Sequence, residues 1–367
     1  MAEAVGPEQG HERLPGRRRP FYRDPRYVIL ALLVLAVAAL AVVKNDELAK
    51  LWQELRLLKA STVLIALACQ FVKYVAVAFT FHFLLRVLNH RIPIPYLFGS
   101  GLAMTFLNQT VPSMGTSGNA FIYTALQRRG VSGGSAIIVT ILNLLTYYIA
   151  FFLLALGAVV YLASGHTLRP AHVVGLCVFF AMMFSLFAWI RFRTRTKARL
   201  HRTTGDINRL VGRLTRGALA EPIPDHFVDD FFEGRALIVR SKKRFILPVA
   251  TNLAVFLADS ATLFVVFRGL GYEVLYRYVV ASYVVGIILY AFAFIPGALG
   301  VYEAAMTGMF SAFAVGARRA LAATILFRGF SFWLPIPIGF AIYHVMVHRK
   351  RRAPVPAPEP AATRDPT

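Results

Sequence analysis

The sequence predicts an all-α membrane protein that crosses the bilayer about six times and carries two re-entrant hairpins built from broken helices. The first observation behind this prediction is composition, since 57% of the 367 residues are hydrophobic, 16% are charged and the mean hydropathy is +0.59. A soluble domain of this length needs a more polar surface. The second observation is a series of long apolar runs, and the third is a pair of apolar stretches that proline and glycine interrupt.

Six apolar runs are predicted to span the membrane. Crossing a hydrocarbon layer of about 30 Å takes roughly 20 helical residues. The first run lacks a small-residue cleavage site and charged residues follow it, so we expect it to be a span and not a cleaved signal peptide. The six runs are residues 27–43, 60–85, 135–163, 171–190, 246–267 and 320–347.

Basic residues outnumber acidic ones, and the net charge is +22. They cluster beside the apolar runs, where they would set topology and meet anionic lipid headgroups, so nucleic acid is not an expected partner. Residues 1–26 and 349–367 have the composition of disordered tails. Residues 191–243 are basic with apolar residues at helical spacing, which indicates amphipathic helices on the membrane surface; a small soluble domain is the alternative.

The basic segments also predict the topology. Placing them in the cytoplasm puts both termini there, and it divides the membrane region into halves at 27–190 and 244–348. The stretch 97–127 must then leave and re-enter on the cytoplasmic side, and 278–316 on the outer side. The four arginines at 268, 277, 318 and 319 would face outward, against the usual bias.

The two hairpins have the same order of features, namely an apolar approach, a proline, a glycine-rich break and a returning helix. Because one half starts outside and the other inside, they would be inverted repeats, and broken helices at corresponding positions of such repeats point to a transporter's binding site. Proline lacks an N–H group and glycine tolerates unusual backbone angles. The predicted helix-break residues are Pro112, Gly115 and Gly118 in the first hairpin and Pro296, Gly297 and Gly300 in the second.

A break at bilayer depth frees peptide groups that cannot face lipid, since each unsatisfied group costs several kcal/mol. Polar side chains beside the first break would supply partners and line a cavity, and half-helix N-termini would favour an anionic group such as a lipid phosphate. These side chains are Asn108, Gln109, Ser117 and Asn119. The alternative is a polar external loop between two short spans.

Two segments, PSMGTSGNAFIYTALQRRGVS and PGALGVYEAAMTGMF with its continuation, resemble the hallmark segments of a membrane family. It comprises the flippase-like transmembrane domain of lysylphosphatidylglycerol synthases (multiple peptide resistance factors) and their stand-alone relatives. The resemblance implies a bacterial or archaeal plasma-membrane protein that handles phospholipid or polyprenyl-linked lipid, often by moving it between leaflets. Those synthases carry a C-terminal aminoacyl-transfer domain that this sequence lacks, so lipid aminoacylation is not expected.

Charged residues inside the predicted membrane segments are costly and normally face a cavity or a partner. We expect Glu303 either to contact substrate or a proton or to cap the broken helix. Arg328 would bind a lipid phosphate bidentately or pair with Glu303. Asp259 lies near the middle of its span and needs a cation, with Lys73 or Arg328 as candidates, although a long lysine stem can instead snorkel.

The sequence therefore predicts a flippase-like protein that binds and translocates an anionic phospholipid or a polyprenyl-phosphate lipid. One alternative is a membrane-embedded lipid-modifying enzyme, and another is a non-transporting partner of a lipid synthase or glycosyltransferase. No nucleotide-binding or metal-ligand pattern occurs, so no catalytic residue, metal or cofactor is predicted. The predicted binding residues are Glu303, Arg328, Asp259, Asn108, Gln109, Ser117 and Asn119.

Overall fold

The computed structural model describes four continuous ranges, 58–111, 116–163, 242–292 and 296–348, and scattered positions between 181 and 209. All of these residues belong to the second of the two compact units into which the chain divides, Gln53–Thr367. Several predictions lie outside the continuous ranges and stay predictions. They concern the tails at 1–26 and 349–367, the spans at 27–43 and 171–190, and nearly all of the linker at 191–243.

The described ranges are helical and contain no strand, which confirms the all-α class. In chain order the helices are α1 (Ala60–Val87), α2 (Ile94–Thr110), α3 (Thr116–Gln127), α4 (Gly133–Ala163), α5 (Ile246–Gly269), α6 (Tyr276–Phe292), α7 (Val301–Ala312), α8 (Ala317–Arg328) and α9 (Pro335–His348). A 3₁₀ turn (Pro296–Ala298) precedes α7, and a π-helical turn (Gly329–Trp333) joins α8 to α9.

Four of the six predicted spans coincide with helices that are long and apolar enough to cross a membrane. They are α1, α4, α5 and the continuous segment from α8 to α9. Large apolar side chains on these helices point outward, for example Leu64 at 65%, Phe71 at 61% and Val160 at 62% exposure. An exposed surface of this kind is unfavourable in water and suits contact with lipid tails.

The two hairpins have matching dimensions. Helices α2 and α6 each have 17 residues, and α3 and α7 each have 12. The long helices that flank the hairpins have 28 and 31 residues in the first half and 24 and 32 in the second. This agreement supports the internal repeat that the sequence predicts, and helices of 12 residues are too short to cross a bilayer.

The corresponding first helices of the two halves, α1 and α5, pack against each other and run antiparallel. Thr80 near the end of α1 contacts Thr251 near the start of α5, with hydroxyl oxygens 2.7 Å apart. Earlier in α1, the Gln70 amide donates a hydrogen bond to the Thr262 hydroxyl, which lies later in α5. Antiparallel packing of equivalent helices is what an inverted repeat requires, whereas a parallel repeat would align them.

The second helix of each half also packs crosswise against the last helix of the other half. Helix α2 packs against α9, the last helix of the other half, and α6 packs against α4 in the same way. The α2–α9 contact is close because Gly339 lies against the backbone of α2. A Cβ atom at Gly339 would be 2.5 Å from the Leu102 carbonyl oxygen and 2.6 Å from the Phe106 Cβ.

Gly339→Ala is therefore expected to lower stability by about 1–3 kcal/mol, because a methyl group there must push helix backbone apart. The measurement is the thermal unfolding midpoint of the purified protein in detergent. Gly157→Ala in α4 is the matched control, since a Cβ atom at that position meets nothing within 4 Å. Equal midpoints for the two variants would contradict the crosswise packing.

Candidate functional site

The helix that leads into the first break lies against the second break. Helix α2, which leads into the first break, contacts the 3₁₀ turn of the second break. The Gln109 amide near the end of α2 donates a hydrogen bond of 3.1 Å to the Ser331 carbonyl oxygen in the π-helical turn. Gln109 is buried, and its Oε1 atom has no hydrogen-bond partner among the residues that the structure describes.

The first break begins after Thr110, where α2 ends and Val111 adopts an extended conformation (φ −103°, ψ 120°). Pro112 and Gly115 lie outside the described residues. Gly118 was predicted as part of the break but lies within the first turn of α3. A side chain at Gly118 would collide with Asn108, so glycine is needed there for close approach of the two helices.

Polar side chains connect the two arms of the first hairpin. The Asn108 Oδ1 atom accepts a hydrogen bond of 2.9 Å from the Gly118 N–H, and the Ser117 hydroxyl donates one of 3.0 Å to the Leu107 carbonyl oxygen. The Asn108 bond satisfies a free N–H of α3. The Ser117 bond adds a second hydrogen bond to the Leu107 carbonyl oxygen, which already accepts from the Val111 N–H. Asn119, also predicted to line the site, is half-buried one residue further along α3.

At the second break the backbone takes up left-handed angles before α7 starts. Gly297 has a φ of 59° and Gly300 a φ of 84°, which glycine adopts without a steric penalty. Gly297 also lies against the Phe332 ring, where a Cβ atom would not fit. Glu303 then caps α7, since its Oε2 atom accepts a hydrogen bond of 2.7 Å from the Gly300 N–H. The capping role that the sequence suggested for Glu303 is thus present.

Arg328 ties the second break to α8. Its Nη1 atom donates to the Glu303 Oε1 at 2.7 Å, and its Nη2 atom donates to the Gly297 carbonyl oxygen. The guanidinium also lies 4.4 Å from the Phe332 ring centre and 5.2 Å from that of Tyr302. The Arg328 side chain is only 4% exposed whereas that of Glu303 is 16% exposed, so the carboxylate is the more accessible partner.

Asp259 forms a second ion pair, with Lys73 and not with Arg328. The Lys73 Nζ lies 3.0 Å from the Asp259 Oδ1, and both side chains are 12% exposed. The Gln70 amide donates to the same oxygen at 2.9 Å, and the Tyr283 hydroxyl donates to Oδ2 at 3.0 Å. Three donors from α1 and α6 therefore stabilise the ionised carboxylate of α5, and Lys73 does not snorkel to a membrane surface.

The two ion pairs belong to one polar region. The Tyr283 ring, whose hydroxyl binds Asp259, lies 6.3 Å from the Phe327 ring, and Phe327 directly precedes Arg328. The ring of Tyr302, which precedes Glu303, stacks on the Phe327 ring with their centres 6.5 Å apart. The Tyr302 ring in turn lies 5.2 Å from the Arg328 guanidinium.

Sequence reasoning missed two members of this region. Gln70 lies one turn before Lys73 on the same face of α1, and a second polar residue at this spacing was an available signal. Tyr283 lies in a mostly apolar helix that holds three other tyrosines, and nothing in its local sequence distinguishes it from them. Its partner comes from another helix, so only the packing of α5 against α6 reveals the bond.

These features define a class of protein: a polytopic helical membrane protein with two broken-helix hairpins and paired charges at their junction. The family model for the lysylphosphatidylglycerol synthase TM region matches residues 28–339, and this chain belongs to that family. The match covers all of the described helices up to the middle of α9.

Two curated archaeal proteins are similar to this chain. A UPF0104 membrane protein of Methanocaldococcus jannaschii is 22% identical over 318 residues, which is 85% of this chain and 92% of that protein. A UPF0104 membrane protein of Methanothermobacter thermautotrophicus is 27% identical over 120 residues, which covers 32% of this chain and 34% of that protein. The chain is thus a multi-pass membrane protein with archaeal relatives.

We expect Lys73→Met and Asp259→Leu each to destabilise the protein by about 3–5 kcal/mol, because each leaves an uncompensated buried charge. The double variant should lose much less than the sum, since both charges are then absent. The measurement is a double-mutant cycle on unfolding free energies in detergent. Additive losses would show that the two side chains are not coupled.

Proposed function

We propose that this protein binds the headgroup of an anionic lipid, a phospholipid or a polyprenyl-phosphate lipid, between its two hairpins and translocates it between leaflets. The observation that carries the proposal is the Arg328–Glu303 ion pair at the second helix break, beside the Lys73–Asp259 pair. Charged side chains inside membrane-spanning bundles are energetically costly and usually serve a substrate or ion pathway. Membership of a lipid-synthase membrane family is consistent with a lipid ligand.

The chemistry of the site suits a phosphate group. Arg328 presents a planar guanidinium that can bind two phosphate oxygens at once, and the start of α7 adds positive potential from the helix dipole. In the structure the Glu303 carboxylate occupies both of these donor groups, since it accepts from the Arg328 guanidinium and from the Gly300 N–H. A lipid phosphate would take the place of this carboxylate on the same donors.

This exchange supplies a mechanism for opening. When phosphate displaces Glu303, the ion pair that ties α7 to α8 is lost, and the second hairpin is released from the core. The Gln109 Oε1 atom on the first hairpin has no partner among the described residues, so it can accept a hydrogen bond from a headgroup hydroxyl. Alternate movement of the two hairpins would expose the site to one leaflet and then to the other, while lipid tails stay in the bilayer.

The same contacts weigh against the lipid-modifying enzyme. A general base needs a carboxylate that can accept a proton from substrate. Asp259 is held by three hydrogen-bond donors, and Glu303 by two. Carboxylates that are held by several donors in this way are suited to binding and positioning and not to taking up a proton from a substrate. The partner-protein alternative depends on the basic linker at 191–243, nearly all of which lies outside the continuously described ranges.

Translocation is tested by following a fluorescent phosphatidylglycerol between leaflets of proteoliposomes that contain the purified protein. We expect Arg328→Gln to slow movement by about 10- to 100-fold, since charge-assisted hydrogen bonds of about 1.5–3 kcal/mol are lost. Arg328→Lys keeps the charge but not the bidentate fork, so an intermediate rate is expected. Rates equal to those of protein-free vesicles for every lipid class would exclude transport.

Two controls separate binding chemistry from folding. Glu303→Gln keeps an oxygen that can accept the Gly300 N–H bond, so α7 stays capped while the ion pair is lost. Arg318→Gln removes an exposed arginine at the start of α8 and should leave transport unchanged. If Arg318→Gln slows transport as much as Arg328→Gln, the effect reflects net charge and not the site.

The proposed orientation places both termini and the α3–α4 loop in the cytoplasm. After replacement of the two native cysteines, Ser132→Cys in that loop should react with an impermeant maleimide only from the cytoplasmic side. Glu273→Cys in the α5–α6 loop should react only from outside. Labelling of both positions from the same side would overturn the proposed topology.

A further inference from the structure

A basic groove lies at the C-terminal end of α1, far from the paired charges at Lys73 and Asp259. It has a volume of about 340 Å³ and is lined by His82, Arg86, Arg91, Ile92, Pro93 and Ile94. Arg86 lies 13 residues beyond Lys73 in α1, which corresponds to about 20 Å along a helix. The groove is therefore separate from the site where translocation is proposed.

The local sequence explains why two arginines meet there. Helix α1 ends at Val87, and Asn89 turns the chain with a left-handed φ of 59°. The His90 N–H returns to the Leu85 carbonyl oxygen and closes the turn. Pro93 and Pro95 then start α2. This short connection brings Arg91 back alongside Arg86, which lies in the last turn of α1.

Within the part of the chain that the structure describes, the groove has no counter-charge of its own. Arg86 and Arg91 are exposed, and neither has a carboxylate partner among the residues that the structure describes. The sequence between residues 58 and 163 contains no aspartate or glutamate. The first turn of α2 has no acidic residue and its N-cap has no side-chain hydrogen bond, so the helix dipole adds to the positive potential.

An apolar surface adjoins the groove on the side toward the bilayer. Phe79 and Phe83 lie about two turns and one turn before Arg86 on the same side of α1, and their rings stack 5.9 Å apart. The His82 ring contacts both of them, at 6.3 Å and 5.7 Å. A cationic groove at the end of an apolar helix, followed by half-buried aromatic rings, matches a phospholipid with its phosphate outside and its tails inside.

We infer that this groove binds one anionic phospholipid from the adjacent leaflet, with the phosphate between Arg86 and Arg91 and the acyl tails against Phe79 and Phe83. It is a second lipid site, and its occupancy does not require translocation. Arginine at both positions suits a phosphate because the guanidinium donates several hydrogen bonds at once.

The test is native mass spectrometry of the full chain released from detergent micelles that contain either phosphatidylglycerol or phosphatidylcholine. The unmodified protein should retain one phosphatidylglycerol that Arg86→Gln/Arg91→Gln binds about tenfold or more weakly, since both phosphate contacts are lost. Phe79→Ala/Phe83→Ala should also weaken binding, which a site for the headgroup alone would not predict. Arg318→Gln/Arg319→Gln removes the same charge at α8 and should retain the lipid.

Any of the following outcomes would overturn the inference. Equal loss in both arginine pairs would indicate a general charge effect. Equal retention of phosphatidylcholine would exclude selectivity for an anionic headgroup, and competition by sn-glycerol 3-phosphate at the affinity of the lipid would assign the groove to a free phosphate. Should the Arg86→Gln/Arg91→Gln variant unfold, the Phe79→Ala/Phe83→Ala variant and the comparison of the two lipids and glycerol phosphate still decide between these cases, all measured with Arg328→Gln so that the proposed central lipid site is removed.

Discussion

A helix that stops inside an apolar bundle leaves peptide groups without partners, and the way these groups are satisfied governs the centre of this molecule. Lipid offers no hydrogen bonds, so each free group must find one within the protein. At the first break the Asn108 side chain accepts from the Gly118 N–H, and at the second break the Glu303 carboxylate accepts from the Gly300 N–H. The charge on Glu303 then requires a cation, which Arg328 supplies from α8. The ion pair is thus a consequence of the helix break.

The second ion pair follows from the relation between the two halves. Lys73 precedes Pro112 by 39 residues, and Asp259 precedes Pro296 by 37. The two side chains therefore occupy almost equivalent places in the repeat, and antiparallel packing of α1 on α5 brings such places together near the axis that relates the halves. Opposite charges at this axis attract, whereas a strict repeat would place like charges there. Gln70 and Tyr283 complete the pair from α1 and α6.

These two pairs have different characters, which bears on how the protein could move. The Lys73–Asp259 pair is surrounded by donors and joins the long helices that form the crossing framework of the two halves. The Glu303–Arg328 pair joins a short hairpin helix to a long one, and its carboxylate is the more exposed member. Ligand exchange at the second pair would release a hairpin without disturbing the framework. Under the proposed function, the framework would stay fixed while the hairpins move, as in transporters built from inverted repeats.

The sequence by itself determined the class of the protein, four of its described long helices and the approximate places where both hairpins break. Those features depend on local properties, namely apolar length and the backbone limits of proline and glycine. It also identified Glu303, Arg328 and Asp259 as charges that need partners. Only the tertiary structure decided which partners they have, because the choice between Lys73 and Arg328 for Asp259 depends on the register of α1 against α5. Helix packing between distant parts of the chain likewise produces the hydrogen bond from Tyr283 to Asp259 and the one from Gln109 to Ser331. No local pattern in the sequence encodes such packing.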